Sequence, residues 1–340
     1  MLGVLTVNTG TPTAPRWREV RRFLRGFLSD PRVVELPRWL WLPVLHGLVL
    51  PLRAPRSARK YRRVWLDDGA PLAVFSRRLH TALELELEAA CAGGVAIESA
   101  FLYSEPLPGT ALLRLRAAGA RRIVVLPLFP QASGTTTGPV YDQVGAALQD
   151  WRALPEVHLI SSYHDDRAYI GALANSVREH WQQHGRTAHL LMSFHGIPQR
   201  CVQRGDEYEN QCRATAGRLA AALELNTRDW SVGFQSRFGK ARWLMPATDR
   251  VLTELPGNGV RSLTVICPGF AVDCLETLEE IDRGGREIYL QAGGEQFQYV
   301  PALNDRGDAA LALARLILAN AGATNPGSAD PGGAPSRPAG

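Results

Sequence analysis

The sequence places its candidate reactive groups where apolar runs break off. Ser193-Phe194-His195-Gly196-Ile197-Pro198 carries an imidazole out of one such run, then interrupts the chain with Gly and Pro. A neutral His there can serve as a general base or a metal ligand, or stay a hydrogen-bonded structural residue. The second group lies in Cys267-Pro268-Gly269-Phe270-Ala271-Val272-Asp273-Cys274-Leu275-Glu276-Thr277-Leu278-Glu279-Glu280. Here an apolar run turns into a helical pattern whose first turns bear Asp273, Glu276, Glu279 and Glu280. At α-helical spacing, positions 273, 276 and 280 share a face, so three carboxylates could line a path for cations or protons. Carboxylates near a helix N-terminus also simply favour its dipole.

Other chemistries lack their residues. No G-x-S-x-G is present, which removes the nucleophile elbow of α/β-hydrolases. Gly233 to Ala241 imitates a P-loop, but five residues separate Gly233 from Gly239 and Ala241 stands where a hydroxyl should bind Mg²⁺. No G-x-G-x-x-G follows the first apolar run. Five cysteines without a C-x-x-C make neither a disulfide framework nor a zinc ribbon, and they fit a reducing cytoplasmic compartment. Met1-Leu2-Gly3-Val4-Leu5 lacks a basic n-region, so no signal peptide is expected.

These groups need elements to hold them. Short β-branched runs span Gly3–Val7, Ile97–Tyr103, Arg122–Leu128, Val157–Ser161, Ala188–Phe194, Ser231–Phe234 and Ser262–Cys267. Their near-continuous hydrophobicity predicts strands covered on both faces, as in parallel sheets. Helical patterns such as Ser76–Ala90, Ala168–His180 and Cys212–Leu223 alternate with them. The chain therefore reads as α/β: two doubly wound, Rossmann-like domains with parallel sheets facing a central cleft. In such sheets ligands bind beyond the carboxyl ends of the strands, where the His195 and Glu276 segments stand.

Charge is uneven. Net charge is +5, yet residues 16–63 hold twelve Arg and one Lys against Glu19, Asp30 and Glu35. That excess suits an anionic partner or a solvated basic helix face. Within it, Trp39 to Leu52 is apolar, but two prolines break it and it is too short for a bilayer span of about 20 residues. Its tryptophans and flanking arginines fit an interfacial lip or a buried helix hairpin.

Six segments, taken together, resemble ferrochelatase: Val7-Asn8-Thr9-Gly10-Thr11-Pro12; Pro127-Leu128-Phe129-Pro130-Gln131; the His195 segment; Tyr208…Gln211-Cys212…Thr215; Phe234-Gln235-Ser236-Arg237-Phe238-Gly239…Trp243-Leu244…Pro246; and Cys267 to Glu276. They stand in the family's order and reach to about Asn320. The resemblance is to the Gram-negative bacterial, protoporphyrin-using branch. Thr9, Ala70, Ser104-Glu105 and Cys274 depart from the usual residues.

The resemblance implies Fe²⁺ insertion into protoporphyrin IX, the last step of haem synthesis. It gives His195 and Glu276 the catalytic and metal-binding roles, leaving open which handles protons and which the metal. Asp273, Glu279 and Glu280 become a proton or metal path. Phe27, Arg32, Tyr61, Trp65 and Phe129 become porphyrin contacts, with Arg16, Arg32 or Arg53 pairing the propionates. Iron is substrate; no permanent cofactor and no iron–sulfur cluster is expected. Domains are expected at 1–165, with the lip at 36–52, and at 166–303. A helix at 304–320 should return to the first domain, and 321–340 should form a disordered tail. Peripheral contact with the inner membrane is implied for an otherwise cytoplasmic protein; nucleic acid is excluded for want of a motif, and oligomeric state is left open. A coproporphyrin-using ferrochelatase and a non-catalytic porphyrin or haem carrier are the alternatives.

Overall fold

The computed structural model of the chain describes residues 1–91, 93–237, 239 and 241–322. Its first half runs β1 (Leu2–Asn8), α1 (Trp17–Ser29), α2 (Arg38–Val44), π1 (Leu45–Val49), α3 (Leu50–Val64), α4 (Pro71–Ala90), β2 (Val95–Phe101), α5 (Pro108–Ala117), β3 (Arg122–Pro127), α6 (Thr137–Leu148) and β4 (Glu156–Leu159). The second half runs α7 (Arg167–His184), β5 (His189–His195), α8 (Gln199–Gln203), α9 (Tyr208–Ala222), β6 (Trp230–Gln235), α10 (Thr248–Gly257), β7 (Ser262–Ile266), π2 (Glu276–Gly285), α11 (Arg286–Gln291), β8 (Gln296–Val300) and α12 (Gly307–Asn320).

The strands form two four-stranded parallel sheets, ordered β2-β1-β3-β4 and β6-β5-β7-β8. The architecture is the α/β, doubly wound arrangement that the apolar runs require. Central strands are covered on both faces: Val4, Leu5 and Val7 in β1, and Leu190, Leu191, Met192 and Phe194 in β5, are all fully buried. In each sheet the chain steps from the first central strand to neighbours on either side. The strand order therefore reverses beside β1 and beside β5, and a crevice is expected at their carboxyl ends.

One strand, β8, lies outside the apolar runs. β8 alternates Gln296 and Gln298 with Phe297, Tyr299 and Val300 at the sheet edge, so it lacks the uninterrupted apolar run of the central strands. β4 likewise alternates, because it too is an edge.

Four apolar clusters fill the layers. The largest joins both halves, from Val4 and Leu83 through Phe194 to Ile317. Two others lie on the outer faces of the sheets. The fourth binds α1, α2, π1 and α3 through Phe23, Leu24, Trp41, Leu45 and Leu50. The apolar lip thus has two faces. Trp41 is buried and its indole N–H donates to the Leu28 carbonyl at 2.7 Å. Trp39, Leu40, Val44, Leu48 and Leu52 are exposed, Trp39 by 79%. The segment is both hairpin and lip.

α12 packs on α4 and α7. Ala321 is buried beyond its last turn, where its carbonyl accepts from Arg122 at 2.5 Å. Ala321 and Gly322 thus form an ordered turn; the rest of the expected tail, 323–340, lies outside the described residues.

Candidate active site

His195 ends β5, in register with Gln235, which ends β6. The chain leaves through Gly196, whose N–H donates to the Gln235 carbonyl at 2.8 Å. A Cβ at 196 would sit 2.8 Å from that same oxygen, so only glycine lets the two strands finish side by side. His195 Nδ1 lies 2.7 Å from the Gly196 carbonyl. A carbonyl can only accept, so in the neutral ring Nδ1 carries the proton and Nε2 keeps its lone pair. The half-buried ring lies beside Phe270, centroids 6.5 Å apart.

Glu276 opens π2, not an ordinary α-helix, and Asp273 precedes it. The α-helical face expected for 273, 276 and 280 therefore does not exist as drawn from spacing. In the wider turn, with bonds from i to i+5, residues four and five apart come to one side. Glu276 and Glu280 remain close enough for the charge of one to raise the pKa of the other. Burial is the larger cause, pushing the Glu280 carboxyl above its ordinary range, while Ser236 and the nearby His195 pull it back.

The end of β6 holds this turn in place. Ser236 donates from its backbone N–H to Glu280 Oε1 at 2.7 Å and from Oγ to Oε2 at 2.6 Å. Its φ of +65° is unusual for a residue with a side chain. Gln235 Nε2 donates to the Glu276 carbonyl at 2.9 Å, and its Oε1 accepts from Ser193 Oγ at 2.8 Å. Two adjacent residues thus fix the start of π2, one through the Glu276 carbonyl and one through the Glu280 carboxylate.

Two of the expected path carboxylates are placed elsewhere. Asp273 is buried and accepts from Thr277 Oγ1 at 2.8 Å, Tyr299 Oη at 2.6 Å and Asn304 Nδ2 at 2.8 Å. Its oxygens are committed to the fold. Glu279, also buried, turns toward α3 and pairs with Lys60 at 2.8 Å and Arg63 at 3.4 Å. Only Glu280 of the three stays beside Glu276 and His195.

From the opposite wall, α3 supplies Tyr61 and Arg53. Tyr61 is buried, and its hydroxyl pKa is driven well up by burial and by the charge of Glu276, against a hydrogen bond with Thr11. Burial lowers the Arg53 pKa, while the charges of Glu276, Tyr61 and Glu280 work the other way. Arg53 thus lies within the field of both carboxylates and offsets their charge. Cys274, wholly buried, has its thiol pushed up by burial and then by Glu276.

Among the expected porphyrin contacts, Phe27, Tyr61 and Trp65 share one cluster, together with Tyr103 and Leu275. Tyr61 meets Trp65 edge-on at 6.1 Å, and Phe27 meets Tyr103 at 5.3 Å. Phe129 packs against the cluster on the other face of the first sheet, which Tyr103 also touches. Arg32 is engaged by Asp142, at 2.5 and 2.9 Å. Gln235, Ser236 and Thr11 gain their place from the structure; in sequence they carried only resemblance. Among the described residues, no three His, Cys, Asp or Glu side chains converge as a metal cage.

The Ferrochelatase family model matches residues 1–321. The chain is 50% identical over 320 residues to the ferrochelatase of Thioalkalivibrio sulfidiphilus, covering 94% of this chain and 87% of that one. It is 51% identical over 302 residues to that of Aeromonas hydrophila, covering 89% and 93%. In solved structures the fold is shared with SirB from Bacillus subtilis with Fe³⁺, at TM-score 0.56, 12% identity and coverage of 94% and 96%. It is also shared with CbiX, at TM-score 0.52, 15% identity and coverage of 93% and 98%. With the family matched almost end to end and about half the residues shared with two members, this chain belongs to the ferrochelatases, lyases that insert metal into porphyrin for haem synthesis.

Proposed function

We propose that the chain inserts Fe²⁺ into protoporphyrin IX, with His195 taking pyrrole protons and Glu276 presenting the metal. Two N–H protons leave as one dication enters, so the site must accept protons on one side and release a cation on the other. The observation that carries this reading is the His195 ring: Nδ1 is tied to the Gly196 carbonyl, which leaves Nε2 as the basic atom. Glu280, within the field of His195, offsets the imidazolium as it forms and relays protons outward. Glu276 supplies a carboxylate oxygen, with Arg53 and Tyr61 opposite. Iron enters and stays ferrous, so no resident cofactor is needed.

The ring is read as lying along Phe27, Tyr61 and Trp65, with Arg53 near its polar edge. We read residues 1–165 and 166–303 as the two domains, and the exposed face of 36–52 as a peripheral contact with the inner membrane. No helix is long and apolar enough to cross a membrane among the described residues. Anaerobic insertion of Fe²⁺ or Zn²⁺ into protoporphyrin, followed by the ring's absorbance, tests the function. Product chromatography with coproporphyrin in parallel separates the two porphyrin specificities. Porphyrin binding without insertion would mark a carrier.

A further inference from the structure

Beside the lip lies an open groove of about 1040 Å³ between the start of α1 and the middle of α3. Arg16, Arg18, Arg21, Arg59 and Arg62 line it. None of the five pairs with a carboxylate among the described residues; Arg62 reaches only the Pro15 carbonyl, and Arg18 lies over the Trp17 ring at 5.5 Å. Glu19 is the one acid lining it. Arg16 caps α1 without a side-chain acceptor, so the first-turn N–H groups add to the positive field.

The groove continues an apolar surface. Leu48, Pro51, Leu52, Pro55, Arg59 and Arg62 recur at three- and four-residue spacing along one side of π1 and α3. The stripe begins apolar and exposed, with Leu48 at 57% and Leu52 at 53%, and ends cationic at the groove. An apolar tip followed by a basic collar is the order met on crossing from acyl chains to headgroups. Five unpaired guanidinium groups suit phosphate oxygens.

We propose that this groove seats the phosphate of an anionic phospholipid headgroup while the exposed lip residues sink beside it. The proposal rests on the membrane contact of the lip read above and names the lipid class. The groove, not the lip, then selects anionic membranes.

Flotation with vesicles of phosphatidylcholine alone, or with about 30 mol% phosphatidylglycerol, tests it. Wild type should bind the anionic vesicles more tightly, and that excess should vanish as salt rises from about 50 to about 300 mM. R18Q/R21Q/R59Q should lose about 100-fold in binding to anionic vesicles, roughly fivefold per charge, and keep its binding to phosphatidylcholine. R18K/R21K/R59K should keep most of the salt-dependent binding and lose only the bidentate part, which separates lost charge from lost fold. Salt-independent binding, or an unchanged glutamine variant with intact thermal unfolding, overturns the groove. Tighter binding of wild type to single-stranded RNA than to anionic vesicles at equal salt also overturns it. L48S/L52S should weaken binding to both vesicles. If it does while the arginines prove irrelevant, the lip reading stands and the groove alone fails; wild type binding neither vesicle sinks both.

Discussion

Ser236 grips both oxygens of Glu280, one from its amide and one from its hydroxyl, at 2.7 and 2.6 Å. These bonds favour the ionised carboxylate against the burial that opposes it. Ser236→Ala removes one bond, so the Glu280 pKa should rise further. The acid limb of the insertion pH profile should then move up by about one unit, with porphyrin affinity unchanged. An unmoved profile would show that Glu280 carries no proton during turnover.

Either His195→Ala or Glu276→Gln should lower iron insertion by about 10²–10⁴-fold, the usual loss for a general acid–base group. Fluorescence quenching of bound protoporphyrin should stay near wild type. Near-normal insertion by both variants would remove these residues from the chemistry.

Glu279 separates position in sequence from position in space. It faces Lys60 and Arg63, whose side chains are half exposed. Glu279→Gln should therefore leave insertion within about tenfold and lower the melting temperature, with about 1–2 kcal/mol lost as the buried anion's pairing disappears. A hundredfold fall in turnover at unchanged stability would return Glu279 to the proton path.

Asp273→Ala should be the most damaging of the acidic substitutions to folding. It strands the donors of Thr277, Tyr299 and Asn304, each costing about 1–3 kcal/mol when buried and unmet. Urea unfolding should show a loss of several kcal/mol, on the order of the sum allowing for relaxation. A variant as stable as wild type would mean these donors find other partners.

Ala70 caps α4 with no side-chain acceptor, and Pro71 follows as the first helical residue. Ala70→Ser should stabilise the protein by about 0.5–2 kcal/mol through the missing cap. Turnover should change less than about tenfold, or 1.4 kcal/mol of barrier. Calorimetry and an insertion assay report the two effects independently.

Most of this fold is legible from apolar run lengths, because buried central strands leave little room for polar residues. β8 escaped because an edge strand tolerates Gln296 and Gln298. That His195 closes a strand and Glu276 stands at the start of a helical turn was legible from the apolar runs before them, while their roles rest on the resemblance in residue order. The disposition of the other carboxylates was not legible. Spacing assumed an α-helix after Cys267, whereas π2 changes which residues share a side, and its geometry depends on Gln235 and Ser236 from a distant strand. For Phe129, a place after β3 does not say which side of the sheet its ring takes; the ring packs with Tyr103 against the first sheet. Leu45, read as part of the lip, is core, since an amphipathic segment has two faces and composition alone does not divide them.

The packing of α12 on α4 and α7 has a consequence for how the protein is made. Leu79, Leu83 and Leu87 of α4 leave the ribosome well before Leu313 and Ile317 of their shared cluster, which follow about 230 residues later. At about 5–20 residues per second, that apolar surface waits tens of seconds for its cover. The nascent first half is thus a natural client for chaperones, and a ribosome that stalls before Gly307 releases a chain with its largest core still open.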